Sequence, residues 1–162
     1  MNTELQTIVS PYPGPDGGEG ETLIAIPAFD IDLSIIHMNR ADAGGNGQFL
    51  GPDLYFDDLF AMAAKRTFMS CEKVIPTQEF LNEGSVHTLK IPRIFVDGVI
   101  EAPMGAHFTE CPPDYGRDEN FQKLYAETAK DQELWDSFNE KYLQTNSHEE
   151  YLAAVNSEEQ EE

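Results

Sequence analysis

Basic residues are scarce in this sequence: ten Lys and Arg stand against thirty Asp and Glu, a formal charge of −20. Such a surface repels phosphate backbones and anionic headgroups, which argues against nucleic-acid and membrane-surface binding. Cysteine is also rare. Cys71 and Cys111 lack the short paired spacing of a zinc or redox motif, so a disulfide framework is not expected. No run approaches the roughly 20 apolar residues of a membrane-spanning helix. The first residues lack the basic start and apolar stretch of a signal peptide, and the expected location is the cytoplasm. No internal repeat, Gly-x-Ser-x-Gly elbow or Gly-x-x-x-x-Gly-Lys phosphate loop occurs.

What remains is a chain of 162 residues with 40% hydrophobic content, enough to bury a core. Residues 1–22 are expected to form a Pro/Gly-rich lead-in loop, centred on Ser10-Pro11-Tyr12-Pro13-Gly14-Pro15-Asp16-Gly17-Gly18. The main domain is placed at 23–156 and an acidic, solvated tail at 157–162. Leu23-Ile24-Ala25-Ile26 and the β-branched run 31–38 read as strands. Asn39 to Gly47 reads as a polar turn around Gly44-Gly45-Asn46-Gly47. Asp53 is a candidate cap for a helix over 54–64, whose Leu54, Leu59, Phe60, Met62 and Ala63 form an apolar face. Residues 67–71 read as a strand, 77–81 as a short helix and 94–100 as the last strand. From Asp118 onward, Phe121, Leu124, Tyr125, Leu134, Trp135, Phe138, Tyr142, Tyr151 and Leu152 mark two or three amphipathic helices. Strands alternating with helices imply an α/β fold with an open, mainly parallel sheet.

In such sheets ligands meet the loops beyond the carboxyl ends of the strands. Two loops carry suitable chemistry. The first, His37-Met38-Asn39-Arg40-Ala41-Asp42 with Gly44-Gly45-Asn46, holds an imidazole, a guanidinium, a carboxylate and an amide. The second is Glu101-Ala102-Pro103-Met104-Gly105-Ala106-His107-Phe108-Thr109. Each has a bland reading: Arg40 and Asp42 pairing across the turn, Asn46 in a left-handed position, His37 a satisfied histidine at a strand end. A metal site from His37, Asp42 and His107 is weakly supported, because its ligands have to be picked from two separate loops. Nothing fixes a glycosidase-type pairing of Glu101 with Glu110. Cys71 reads as inert core, and Cys111, before Pro112, as the more exposed thiol with no adjacent base.

Several runs, in order, resemble the alpha subunits of family I CoA-transferases of the glutaconate CoA-transferase type: Ile26-Pro27-Ala28; His37 with Arg40-Ala41-Asp42 and Gly45-Asn46; Asp57-Asp58-Leu59-Phe60 with Ala63-Ala64-Lys65-Arg66; and Val96-Asp97-Gly98-Val99-Ile100-Glu101-Ala102-Pro103-Met104-Gly105-Ala106-His107. Further runs are similar to the cholesterol ring-cleaving hydrolase branch of that family, among them Ser10-Pro11-Tyr12-Pro13, Tyr55-Phe56-Asp57-Asp58 and Pro113-Asp114-Tyr115-Gly116-Arg117-Asp118-Glu119. The resemblance is to the C-terminal half of an alpha subunit. It implies a CoA-transferase-type sheet with C-terminal helices, a beta-subunit partner in a hetero-oligomer, an acyl-CoA substrate and no resident cofactor. It also implies that the glutamate credited with hydrolysis, and the acylated glutamate of true transferases, lie outside this chain. No catalytic residue carries over, and the isolated chain is expected to be inactive. Carried over are the loops, in which Arg40, Asp42, Asn46, Gly105 and His107 are the expected substrate-binding residues. Three functions follow: ring-opening hydrolysis of a steroid-derived acyl-CoA, CoA transfer between carboxylic acids, or a non-catalytic truncated fragment whose cut sheet exposes apolar faces.

Overall fold

A computed structural model describes residues 6–26 and 28–157. The chain divides into two compact units, residues 1–30 and 31–162. In the first, β1 (Gln6–Val9) pairs antiparallel with β2 (Thr22–Ala25), and the Pro/Gly-rich stretch forms the long connection between them. The region expected to be loop throughout therefore contains a strand: Thr7, Ile8 and Val9 are β-branched, and Thr7 and Ile8 lie opposite Ile24 and Leu23.

The second unit is built on a five-stranded sheet ordered β6-β4-β3-β5-β7. Its strands are β3 (Ile31–Ala41), β4 (Gly47–Gln48), β5 (Ala64–Val74), β6 (Leu89–Ile91) and β7 (Gly98–Glu101). β3, β5 and β7 run parallel, while β4 and β6 extend the sheet antiparallel. The α/β fold thus carries a parallel centre with a short antiparallel flank. From β5 the chain crosses to the far edge as β6, then returns to the opposite edge as β7.

Alternation in the two long strands separates two faces. Ile36, Met38, Met69 and Cys71 point to one side and join Ala61 of α1 (Asp57–Ala63) and Ile91 in the main core cluster. His37, Asn39, Ser70 and Glu72 occupy the intervening positions on the other side. Gly47 lies where the core admits no side chain: a Cβ there would stand 2.6 Å from Met69 Sδ and 3.1 Å from Ile91 Cβ.

Three helices follow: α3 (Glu119–Glu127), α4 (Gln132–Phe138), which runs on into a π-helical turn (Asn139–Leu143), and α5 (His148–Asn156). Their apolar positions Phe121, Phe138, Tyr142 and Val155 form a second cluster with Phe108, Trp135 and Tyr151 against it. Asp118, Asp131 and Ser147 cap these helices through their side chains. Among the described residues no helix is long and apolar enough to cross a membrane.

Three local expectations need correction. The polar turn expected over Asn39 to Gly47 is shorter, because β3 continues through Ala41 and β4 begins at Gly47, so His37, Asn39 and Arg40 stand in a strand and the turn spans only 42–46. Asp53 does not cap α1; its carboxylate accepts from the Tyr55 amide, and the helix begins at Asp57 with Phe56 before it. This is an Asx turn, which competes with capping for the same oxygen. Residues 94–100 are not one strand. Pro92 starts a 3-10 turn (Arg93–Phe95), the Asp97 amide donates to the Thr67 carbonyl, and the strand itself is Gly98–Glu101. The expected helix near Thr77 is present as a 3-10 turn (Thr77–Glu79) running into α2 (Phe80–Glu83). Of the expected acidic tail only Ser157 is among the described residues; 158–162 lie outside them.

Candidate functional site

Parallel register sets His37 beside Ser70, and Glu72 follows two residues later on the same face. His37 Nδ1 lies 2.9 Å from Ser70 Oγ, and Nε2 lies 2.6 Å from Glu72 Oε1. The loop after β7 closes over this row. The Met104 amide donates to Glu72 Oε2 at 2.6 Å, and the Tyr115 hydroxyl donates to Oε1 at 2.7 Å. Tyr115 OH in turn accepts from the Ala106 amide at 2.9 Å. Burial and the bond to Glu72 push the Tyr115 phenol far above its ordinary pKa, so it stays a donor. The Glu72 side chain is 8% exposed and that of His37 16%. Gly105 is required here: a Cβ would fall 2.7 Å from both the Ala102 carbonyl oxygen and His37 Cε1.

Beside this row a second network radiates from Asn39. Its Nδ2 donates to Asp114 Oδ2 at 2.8 Å and the Pro112 carbonyl at 3.0 Å, and approaches Cys111 Sγ at 3.3 Å; Oδ1 accepts from the Leu50 amide. Arg40 joins the same Asp114 oxygen at 2.9 Å and holds Glu83 at 2.8 Å through Nε. The bond to Asp114, against the cost of burial, raises the Arg40 pKa further, and the same contacts with Arg40 and Asn39 hold the Asp114 acid below its usual range although burial pushes it up.

Cys111 was expected to be the more exposed thiol. It is 3% exposed, its backbone paired with Tyr115 and its sulfur turned toward Asn39. Burial, with Glu72 and Asp114 nearby, pushes its pKa up to about 12. Cys71, in the opposite face, is raised by burial to about 11. Neither thiol is poised as a nucleophile.

Ligand atoms of His37, Glu72 and Cys111 lie within 4.8 Å of one another, the metal-compatible cluster among the described residues. Asp42 and His107, the partners considered for His37 from sequence, do not join it. Both ring nitrogens of His37 and both oxygens of Glu72 already have protein partners, so a metal ion there would have to displace internal bonds.

The five residues expected to bind substrate are placed as follows. Gly105 packs on His37, and Arg40 flanks the cluster through Asp114. Asp42 and Asn46 form a closed turn instead: Asp42 accepts from the Gly44 and Asn46 amides, Asn46 Nδ2 and Thr77 Oγ1, at 2.7–2.9 Å. Asn46 Oδ1 accepts from the Arg93 amide. His107 points into the helical cluster, bonded to Tyr151 OH at 2.5 Å and Asp118 Oδ2 at 3.1 Å, its side chain 3% exposed. Ser70 and Glu72 were missed from sequence. Their signal was weak: two polar residues spaced i, i+2 in a strand whose alternate residues are apolar. The pairing with His37 depends on a register 33 residues away.

A family model for Coenzyme A transferase matches residues 2–102. The chain belongs to the coenzyme A transferase family. It is 49% identical over 154 residues to the cholesterol ring-cleaving hydrolase IpdA subunit of Mycobacterium tuberculosis (strain H37Rv), an alignment covering 95% of this chain and 52% of that one. To one subunit of the Acidaminococcus fermentans glutaconate CoA-transferase it is 34% identical over 134 residues, 82% of this chain and 41% of that one. The crystal structure of the Acidaminococcus fermentans glutaconate coenzyme A-transferase superposes with a TM-score of 0.82 at 32% identity, covering 94% of this chain and 46% of that one. The chain thus spans about half the length of these relatives.

Proposed function

We propose that this chain is the alpha-subunit part of an enzyme acting on CoA thioesters, a hydrolase that opens a carbocyclic ring of a steroid-derived acyl-CoA. The observation that carries this reading is the 49% identity, over 95% of the chain, to a ring-cleaving hydrolase subunit, against 34% to a transferase subunit. Catalysis then requires a beta subunit, and water is activated by a glutamate outside this chain, with the thioester as substrate and no resident cofactor. Arg40, Asp42, Asn46, Gly105 and His107 would line or support the substrate wall. The Arg40 guanidinium is already paired with Asp114 and Glu83, so its part would be to hold the wall in place, and a substrate carboxylate would have to displace one of them.

CoA transfer between carboxylic acids is the second reading, favoured by the close superposition on a transferase. A non-catalytic fragment is the third, favoured by apolar residues left open, Ile35 at 74% exposure among them. Co-expression with candidate beta subunits, followed by titration of the purified complex with acyl-CoA, separates the three. Ring opening without thioester exchange supports hydrolysis, exchange supports transfer, and failure to form any complex supports the fragment.

A further inference from the structure

We propose that Ser70, His37 and Glu72 form an acyl-transfer site that cleaves activated acyl esters, thioesters included, with Ser70 as nucleophile. This does not rest on the reading above, in which the catalytic glutamate belongs to another segment. The three side chains meet the geometric requirements of an activated hydroxyl in sequence. The nucleophile's oxygen lies 2.9 Å from an imidazole nitrogen, and the other imidazole nitrogen lies 2.6 Å from a carboxylate oxygen. The Ser70 proton has two acceptors within reach, His37 Nδ1 at 2.9 Å and the Ile36 carbonyl at 3.3 Å, and the shorter bond is the one to the imidazole.

Glu72 is itself held. Met104 N–H and Tyr115 O–H donate to its two oxygens, fixing the carboxylate that orients the ring with the proton on Nε2 and the lone pair on Nδ1 facing Ser70. Gly105 closes on the ring edge, where any Cβ would collide with it. Ser70 also opens onto solvent. It lines a cleft of about 510 Å³ shared with Thr145, Asn146 and His148. His148 Nε2 is bonded to the Pro103 carbonyl and Asn146 Nδ2 donates to Glu150, which leaves the Thr145 hydroxyl and the second Asn146 amide hydrogen as donors of the kind a developing oxyanion needs.

In the first step Ser70 Oγ bonds to the acyl carbon as its proton passes to His37 Nδ1. The C–S or C–O bond then breaks, and the departing thiolate or alkoxide takes that proton. Water next attacks the acyl-serine and gives a proton to Nδ1; the acyl–Oγ bond breaks, Ser70 recovers its proton and the carboxylic acid leaves. The net reaction consumes one water and needs no other reactant.

The test uses the purified full chain with p-nitrophenyl acetate and, separately, S-phenyl thioacetate with a thiol-detecting reagent, together with peptide mapping after a fluorophosphonate probe. The expected result is release from one or both esters, with the fluorophosphonate adduct on Ser70. Ser70→Ala should lower release by about 100-fold or more, and Glu72→Gln by about 10-fold, each with the circular dichroism of the parent. Release from the thioester alone narrows the class to thioesters, and release from both sets it as activated acyl groups generally. Release from neither, release surviving Ser70→Ala, or an adduct mapped to another residue overturns the proposal. The mapping needs no variant, so it decides the matter even where a substitution disturbs folding.

Discussion

Asp42 shows how one carboxylate can be worth more to the fold than its neighbours. It is 3% exposed at the end of β3, and burial by itself pushes its pKa up, but bonds from Asn46, Thr77 and Gly44 outweigh that and leave the acid below its ordinary range. Asp114 and Asp118 are depressed in the same manner. A folded pKa below the unfolded one stabilises the native state above the unfolded carboxylate range, near pH ~4, and that contribution is lost as pH falls through the lower folded values. Urea midpoints should therefore be flat from neutrality down to about pH 5 and fall below about pH 4. Asp42→Ala should cost about 1–3 kcal/mol at neutral pH, since it strands the donors of the turn, and should weaken the acid dependence. A midpoint unchanged by that substitution would remove Asp42 from the fold's essential contacts.

The two thiols give a second prediction at this scale. With pKa values raised to about 11 and about 12, both should resist a disulfide exchange reagent at pH 8 in the folded chain and react together on denaturation. Rapid labelling of Cys111 in native protein would mean that the loop over Glu72 opens.

Among the elements, the junction between the β7 loop and the helices depends on Asp118. Its Oδ1 caps α3 through the Phe121 amide while Oδ2 holds His107. Asp118→Ala should cost about 1–2 kcal/mol, and Asp118→Asn should recover most of it, because an amide oxygen also caps. Equal losses for the two would point to the charge rather than the cap. The short β4 is limited by volume instead: Gly47→Ala places a methyl against Met69 and Ile91 and should cost about 1–3 kcal/mol in thermal or urea unfolding.

Elements of this chain were unequally legible. β3 and β5 followed from β-branched and alternating residues, and α3 to α5 from aromatic spacing, because these patterns report a local period. The 94–100 strand was misjudged because Ile94, Phe95 and Val96 are as apolar as a strand. Pro92 and the Asp97 contact with Thr67 bend the chain first, and that contact is set by a strand some thirty residues away.

For the molecule as a whole, charge and apolar surface act against each other. Ile35, Ile94 and Ile100 are exposed in the sheet unit, while 30 acidic residues keep molecules apart. Salt screens that repulsion over roughly 8 Å at physiological ionic strength. Light scattering should accordingly show association growing as salt is raised from low to moderate concentration, and a strict monomer throughout would argue that the open face needs no cover. Binding of a cognate beta subunit that suppresses this association would place the face at the interface.

By itself the sequence determined the family, the α/β class and the positions of the long elements, because each is written in local periodicity and in contiguous runs of residues. It also marked Arg40, Asp42, Asn46, Gly105 and His107 as polar or permissive residues, although Arg40 stands within β3 and not in a loop. Only the tertiary structure decided that Asp42 and Asn46 close on one another, that His107 turns into an aromatic cluster, and that His37 meets Ser70 and Glu72. For His107 and His37 the physical reason is that hydrogen-bond partners are chosen across strand register and loop closure, which bring together residues more than thirty positions apart that no local pattern connects; Asp42 and Asn46 are only four apart, and their closure is fixed by the turn that β3 and β4 frame.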